Sequence, residues 1–206
     1  MPGPSLSIQS MRKLLVTILT ASFLTSSLAA EGMTDGDRQR LLAHFEMTET
    51  WVVSELHGLS DAQLRFRMTP ESWSIMDVVE HLAIAEPQYW DRVQNSMKQP
   101  PTTEKLAGTD AGILWYGIDR TRRTTTGEAR VPKGKWSEIS GSLGEFRKLR
   151  ATMKDYAKTT KDDLRSRKTL EGDIDVYQWF LMISTHSQRH ILQVREIKAH
   201  ANYPKT

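Results

Sequence analysis

The sequence predicts an all-α protein, a four-helix bundle with a long irregular crossover between its second and third helices. Apolar residues recur every three or four positions in four long segments, and this is the period of amphipathic helices. No series of alternating apolar and polar residues predicts strands, and no internal repeat is present. With 206 residues, the chain is long enough for one hydrophobic core and too short for two comfortable ones. We therefore expect one domain, over residues 31–206.

The first thirty residues are expected to be a signal peptide. A short basic start at Met11, which could be the true first residue, precedes an apolar run over residues 14–24. This run is too short to span a bilayer comfortably. The small residues Ser27 and Ala29 have the spacing that signal peptidase requires, so cleavage is expected near Ala29 or Ala30. The alternative, an uncleaved membrane anchor, is disfavoured because no long apolar stop-transfer run follows.

Charge and cysteine content restrict the function classes. The chain has 28 Lys and Arg residues against 25 Asp and Glu residues, and removal of the leader with Arg12 and Lys13 leaves 26 against 25, a net charge of +1. This balance gives no support for nucleic-acid binding. The absence of cysteine rules out disulfides, thiolate nucleophiles and a lipid anchor on the leader. We expect a periplasmic or extracellular protein with a small-molecule substrate and no membrane association after cleavage; a homodimer is allowed.

The long helices are predicted from their apolar faces and caps. They cover residues 37–59, 74–97, 141–159 and about 175–200, with one further candidate at 111–122 inside a crossover over 98–144. Ser60 is expected to cap a single helical turn, and Ser74, with Asp77 three residues on, to cap the second helix. Pro87 should kink or interrupt that helix because it lacks an N–H group.

Three histidines on the predicted inner faces form the candidate functional site. His186 and His190 are four residues apart, so they share one helix face and can bind one metal ion. His81 lies on the inner face of the second helix. Burial of imidazoles without partners costs free energy, and a metal would relieve that cost. Spacing does not establish that the two helices are neighbours, so a hydrogen-bonded polar network remains an equal alternative to a three-histidine metal site.

Two polar side chains near these histidines are predicted to support the metal site. Asp77 lies one turn from His81 and could orient the free ring nitrogen of that histidine. Gln193 lies close after His190 and could contact a water on the metal. Glu80 points toward a different helix face and is expected to be solvated.

The other histidines and several alternative chemistries are disfavoured. His44, His57 and His200 have no partner at ligand spacing and are expected to be structural. The sequence has no His-Glu-x-x-His or Glu-x-x-His motif, which disfavours zincin proteases and ferritin-like di-iron sites. A serine-hydrolase elbow, a phosphate-binding glycine loop and a dinucleotide fingerprint are also absent. Non-covalent haem between bundle histidines remains an alternative, although their spacing suits one small ion better.

Two motifs resemble those of a known family. Residues 71–86, ESWSIMDVVEHLAIAE, resemble the second-helix signature of the DinB/YfiT-like metal-binding bundles, and residues 185–193, THSQRHILQ, resemble their fourth-helix signature. The similarity extends over about residues 37–198, and the two motifs occur in the expected order. The resemblance implies an up-down-down-up four-helix bundle in which the three histidines named above bind a divalent metal such as nickel, zinc, manganese or iron.

The resemblance also implies a choice of activities. Some relatives are S-transferases or isomerases that use a low-molecular-weight thiol, and many others are described only as metal-dependent hydrolases. The expected leader argues against thiol transfer, because such thiols are intracellular. A metal held by three imidazoles could lower the pKa of a bound water or substrate thiol and so produce a nucleophile near neutral pH. The alternative is a non-enzymatic bundle that has a structural metal or binds a small ligand without turnover.

Overall fold

The computed structural model describes residues 32–122, 124–170 and 172–205. Within these residues the chain forms six α-helices and one short 3-10 helix. They are α1 (Asp35–Leu56), α2 (Asp61–Arg65), α3 (Ile75–Met97), α4 (Asp110–Ile118), the 3-10 helix Glu128–Arg130, α5 (Ile139–Thr159) and α6 (Val176–Lys198). The expected signal peptide lies outside the described residues. None of the described helices is long and apolar enough to cross a membrane.

Capping boxes mark where four of the helices begin. Ser60 and Ser74 cap their helices as the sequence predicts, and each forms a capping box with the residue three positions later. Two further capping boxes begin α1 at Thr34 and α6 at Asp175. Each box satisfies N–H groups that have no partner within the helix. The four predicted long helices are confirmed, and their ends differ by no more than three residues from the predicted ones.

Pro87 was predicted to kink or interrupt α3, and the structure contradicts the interruption. The helix continues through this residue, and the proline side chain is exposed. Proline removes one N–H donor and crowds the carbonyl group one turn earlier. The helix is nevertheless buried on both sides of this position, at Ala85 and Val93. Packing of α3 against the bundle therefore outweighs the loss of one hydrogen bond.

Contacts between helices give the direction of each long helix. Between α1 and α6, the hydroxyl oxygens of Thr48 and Ser184 are 2.9 Å apart, and Glu55 pairs with Arg195 further along both helices. Because these contacts advance in the same direction, α1 and α6 are parallel. Helix α5 is antiparallel to α1, since its contacts with α1 run in the opposite order. These contacts are the ion pairs Glu49–Arg147 and Glu46–Lys154.

The contacts of α3 complete the topology. His81 lies opposite His186, and the backbone carbonyl of Tyr89 accepts a hydrogen bond from the Trp179 indole at 3.0 Å, so α3 and α6 are antiparallel. The contacts of α3 with α5 advance together along both helices, which are therefore parallel. These contacts are Glu86–Arg150 and Trp90–Tyr156. The long helices α1, α3, α5 and α6 thus run up, down, down and up, as the family resemblance implies.

A layer of polar side chains divides the hydrophobic core into two clusters. The cluster near the start of α3 includes Val52, Leu82, Phe146 and Ile191. The cluster near its end includes Phe45, Val93, Met153 and Phe180. Between them each long helix contributes one buried side chain to what we call the polar layer, namely Thr48, Glu86, Arg150 and Ser187. Hydrogen bonds join these four side chains to one another.

The crossover between α3 and α5 packs against the α3–α6 side of the bundle. Its helix α4 ends at Ile118, four residues before the predicted end, and packs along α6. Gly117 permits this close approach, because a Cβ atom there would lie 2.8 Å from Oε1 of Gln188 and 2.9 Å from Cβ of Thr185. The 3-10 helix then contacts α3. The crossover therefore covers the side of the bundle on which the candidate histidines lie.

Candidate metal centre

Three histidine rings meet between α3 and α6. His81 belongs to α3, and His186 and His190 belong to successive turns of α6. The Nε2 atom of His186 lies 3.2 Å from Nε2 of His81 and 3.1 Å from Nε2 of His190. Potential ligand atoms of the three residues all lie within 4.8 Å of one another. The antiparallel packing of the two helices thus supplies the adjacency that spacing in the sequence could not establish.

Hydrogen bonds on the far side of two rings fix their tautomers. His81 Nδ1 lies 2.7 Å from the backbone carbonyl oxygen of Arg130, and His190 Nδ1 lies 2.9 Å from Oε1 of Gln193. Because these oxygens only accept, both Nδ1 atoms donate and both Nε2 atoms keep a lone pair. His186 Nδ1 is buried without a hydrogen-bond partner among the described residues. Lone pairs that converge on one point cost free energy, and a metal ion there would remove that cost.

Burial holds the three rings in the neutral form that binds metals. Burial, followed by the neighbouring imidazoles, lowers the pKa of His186 well below its usual value. Burial also lowers the pKa of His190 to about 3. For His81, burial lowers the pKa despite the hydrogen bond to the Arg130 carbonyl. At neutral pH the site therefore presents three uncharged imidazoles, a donor set that fits a first-row divalent metal ion.

Asp77 does not orient His81, contrary to the prediction. Its carboxylate caps the start of α3 and forms an ion pair with Arg67 at 2.7 Å. The Nδ1 atom of His81 is bonded instead to the backbone carbonyl of Arg130. The prediction failed because a carboxylate at the third position of a helix is within reach of its own capping residue, and Asp77 makes that local contact.

Glu80 is buried rather than solvated, which also corrects the prediction. Only 4% of its surface is exposed. Its carboxylate accepts hydrogen bonds from the backbone N–H groups of Lys133 at 2.7 Å and Lys135 at 3.1 Å. Periodicity could not reveal this burial, because the covering segment belongs to the irregular crossover. Since Glu80 and His81 both bond to residues 130–135, this segment is fixed directly beside a ring of the histidine group.

We expect Glu80→Gln to loosen the crossover. A neutral amide accepts weaker hydrogen bonds than a carboxylate, by about 1–2 kcal/mol, and its own NH2 group opposes backbone donors. The Lys133 and Lys135 amides should exchange hydrogen about 10-fold faster, measured by NMR. Glu128→Gln is the matched control, because Glu128 is exposed in the same segment and its carboxylate lies 3.8 Å from the Lys133 ammonium. Equal exchange rates in both variants would contradict the role assigned to Glu80.

A cavity of about 610 Å³ opens beside the histidines, and all three of them line it. The Trp73 ring packs against His81 with 4.9 Å between ring centroids, and the Tyr89 ring meets His186 edge-on at 5.3 Å. Gln193 also lines the cavity, and its carbonyl oxygen accepts a hydrogen bond from the His190 ring. Its contact with a water on the metal stays a prediction. The charged lining residues are Glu71, Arg120, Arg130, Arg189 and Glu196. The cavity can therefore give a small molecule access to the three rings.

Comparison with known proteins agrees with this architecture. A sequence model of the DinB superfamily matches residues 34–194. The chain belongs to the DinB superfamily. The uncharacterised protein YuaE of Bacillus subtilis strain 168 is 26% identical over 153 residues, which are 73% of this chain and 91% of YuaE.

A solved structure shares the fold of this DinB superfamily protein. YfiT from Bacillus subtilis superposes with a TM-score of 0.57 at 14% sequence identity, over 84% of this chain and 93% of YfiT. YfiT is described as a probable metal-dependent hydrolase with an unusual four-helix bundle topology. At this level of identity the likeness concerns the fold. The predicted DinB/YfiT-like four-helix bundle is thereby confirmed.

The polar layer of this DinB protein contains functional-site neighbours that the sequence analysis missed. Glu86 and Arg150 form a fully buried ion pair, with the Arg150 Nε–H group donating to Glu86 Oε2 at 2.8 Å. The Ser187 hydroxyl donates to Glu86 at 2.9 Å, and it directly follows His186 in the sequence. The sequence feature that indicates this pair is a charged residue at a position where the helical period predicts an apolar one, Glu86 in α3 and Arg150 in α5.

Two of the remaining histidines have hydrogen bonds that fit the predicted structural role. His44 Nδ1 lies 2.6 Å from the Ser184 hydroxyl, and His200 Nδ1 accepts a hydrogen bond from the backbone N–H of Asn202 at 3.2 Å. His57 is the exposed residue that follows the last residue of α1. None of the three contributes to the histidine group that could hold a metal within the described part of the chain.

Proposed function

We propose that this protein is a metal-dependent hydrolase that holds one divalent metal ion with His81, His186 and His190. One observation carries the proposal: the three Nε2 atoms converge, at 3.2 and 3.1 Å from His186, on a cavity of about 610 Å³. A structural metal site fills its coordination positions with protein side chains. Three imidazoles beside an accessible cavity instead leave positions for a substrate and for water.

The residues around the three histidines prepare this chemistry. A bound divalent ion would supply Lewis-acid chemistry, which polarises a substrate oxygen and lowers the pKa of water toward neutrality. The Arg130 carbonyl and the Gln193 side chain hold two of the rings in the tautomer that presents Nε2. Burial raises the pKa of Tyr89, so its phenol remains a proton donor at the cavity wall. Trp73 packs over the rings and excludes water from one side of the site.

Two further arguments support the proposal. The description of YfiT as a probable metal-dependent hydrolase concerns a protein of the same fold. Neutral imidazole ligands are suited to nickel, zinc and iron, and a site with open positions also accepts manganese. We therefore propose one of these four metals as the cofactor.

The test is metal content combined with turnover. The protein, purified without a histidine tag, should contain about one metal ion per chain by mass spectrometry, as expected for a single three-histidine site. Hydrolysis of a panel of small esters, amides and phosphoesters should stop after chelation and return when the same metal is added. A protein that binds none of nickel, zinc, manganese and iron after reconstitution would refute the proposal.

The same experiment separates the alternatives. Thiol-dependent transfer would appear as metal-dependent consumption of a small thiol with no hydrolysis. A structural metal would appear as one ion per chain, no exchangeable water by relaxation measurements on the manganese-loaded protein, and no turnover. Either result would replace the hydrolase by the corresponding function.

A further inference from the structure

The charged side chains of the cavity are not balanced. Arg120 is neutralised by Glu196, whose two carboxylate oxygens accept hydrogen bonds from it at 2.8 and 2.6 Å. Glu71 is exposed at the cavity edge. Arg130 and Arg189 also line the cavity, and neither has a carboxylate within 4.0 Å among the described residues. The space beside the three histidines therefore contains two guanidinium groups that form no ion pair within 4.0 Å among the described residues.

Arg189 is held rigidly by backbone carbonyls and forms no ion pair within 4.0 Å among the described residues. Hydrogen bonds from Thr121 and, to a smaller extent, the nearby Arg189 charge lower the pKa of the Asp119 carboxyl group. Only 6% of this residue is exposed. Its guanidinium donates hydrogen bonds to the backbone carbonyls of Tyr116, at 3.1 Å, and of Asp119 and Arg122. These carbonyls belong to the end of α4 and the chain that follows, so the crossover orients the group. Neutral carbonyl dipoles position a guanidinium without cancelling its charge, which stays available to an anion.

Arg130 has unused hydrogen-bonding capacity. Its Nε atom is buried without a partner among the described residues. Its Nη1 group reaches only Oε1 of Gln88, at 3.3 Å, and the guanidinium carbon lies 5.8 Å from the centroid of the Tyr89 ring. The backbone carbonyl of the same residue orients His81. Arg130 thus places a positive side chain beside the histidine group that its own backbone helps to position.

We propose that Arg130 and Arg189 form an anion subsite beside the three histidines, so that the ligand of this cavity carries a carboxylate or phosphate group. The guanidinium group presents N–H donors in a planar fork that matches both kinds of anion. A neutral or cationic ligand would leave the two charges without compensation. The inference rests on the proposed function for its link to hydrolysis, since it names the substrate class of the same site.

The test is anion binding to the metal-free and the metal-loaded protein. Acetate and methyl phosphate are titrated separately by isothermal calorimetry at low ionic strength, where screening is small. We expect one site per chain in the metal-free protein and at least about 10-fold weaker binding in Arg130→Gln and in Arg189→Gln. Arg130→Lys should lose less, because it keeps the charge. Arg147→Gln is the control: Arg147 is exposed on the outer face of α5 and pairs with Glu49.

Each outcome has a defined consequence. Weaker binding of either anion in the folded Arg130→Gln protein supports the subsite and identifies the group it takes, even when Arg189→Gln fails to fold. Unchanged binding in the Arg130→Gln and Arg189→Gln proteins, or no binding by the unmodified protein in either state, overturns it. If the anion binds only to the metal-loaded protein, and equally in all variants, the anion subsite is refuted but the proposed metal site is not. A subsite seen in a protein that takes up no metal supports the inference and refutes the proposed hydrolase.

Discussion

Replacing His186 with alanine is expected to lower the affinity for the divalent metal by more than about 100-fold, since even loss of a hydrogen bond to a ligand ring costs about 10–100-fold. His186 is the ring that both other Nε2 atoms face, at 3.2 and 3.1 Å. Its removal leaves two imidazoles, which are insufficient for a tightly held ion. The affinity is measured by competition with a chromophoric chelator.

The linked stability provides a second measurement of the same effect. At a free metal concentration of about 100 times Kd, binding stabilises the native state by about 2.7 kcal/mol. Metal should therefore raise the Tm of the unmodified protein and have no such effect on His186→Ala. His57→Ala is the control, because His57 is exposed at the end of α1. Metal affinity in His186→Ala equal to that of the control would exclude His186 as a ligand.

Replacing Arg150 with methionine is expected to destabilise the protein by about 3–5 kcal/mol, because it leaves a buried carboxylate without its partner. Neither Arg150 nor Glu86 has exposed side-chain surface. Burial raises the pKa of Glu86, while Arg150 and Ser187 oppose the shift. Loss of Arg150 removes the first of these opposing contributions, so the pKa of Glu86 should rise further in the variant.

This pKa gives the loss of stability a pH dependence of known sign. When the pKa of a carboxyl group is higher in the folded than in the unfolded state, the free energy of unfolding falls as pH rises from the unfolded pKa through the folded pKa. The deficit of Arg150→Met should therefore be larger at about pH 8 than at about pH 5, measured by urea unfolding at both values.

The double variant Arg150→Met/Glu86→Leu should recover most of the lost stability, since apolar replacements of a buried ion pair are often neutral. Arg147→Met is a surface control on the same helix, because Arg147 is exposed and pairs with Glu49. If the single and double variants were equally destabilised at both pH values, the unpaired Glu86 carboxylate would not be the cause of the lost stability.

Local features of the fold were predictable, because their causes lie within a few residues of each other. The caps at Ser60 and Ser74 and the inward position of His81 follow from side chains one helical turn apart. To predict that the histidine rings converge, one must know which helices are neighbours in the bundle. Only the family resemblance implied that arrangement. Helical period alone cannot choose between the bundle topologies that place α3 beside α6 or away from it.

The errors arose where distant segments meet. Glu80 is covered by residues 130–135, and no periodic pattern marks that segment. Asp77 was assigned to His81 on sequence distance, yet Arg67 and the helix cap compete for the same carboxylate. Glu86 and Arg150 are 64 residues apart in the sequence. Their ion pair could not be predicted without knowing that α3 and α5 are neighbours.

The polar layer also has a consequence for how the four long helices can align. Sliding one helix by a single turn, about 5.4 Å, would move Glu86 or Arg150 into one of the apolar clusters that lie on either side. Hydrophobic side chains tolerate many such offsets, whereas two opposite charges are satisfied at only one. The ion pair therefore acts as a register mark, and the register it selects is the one in which His81 stands opposite His186.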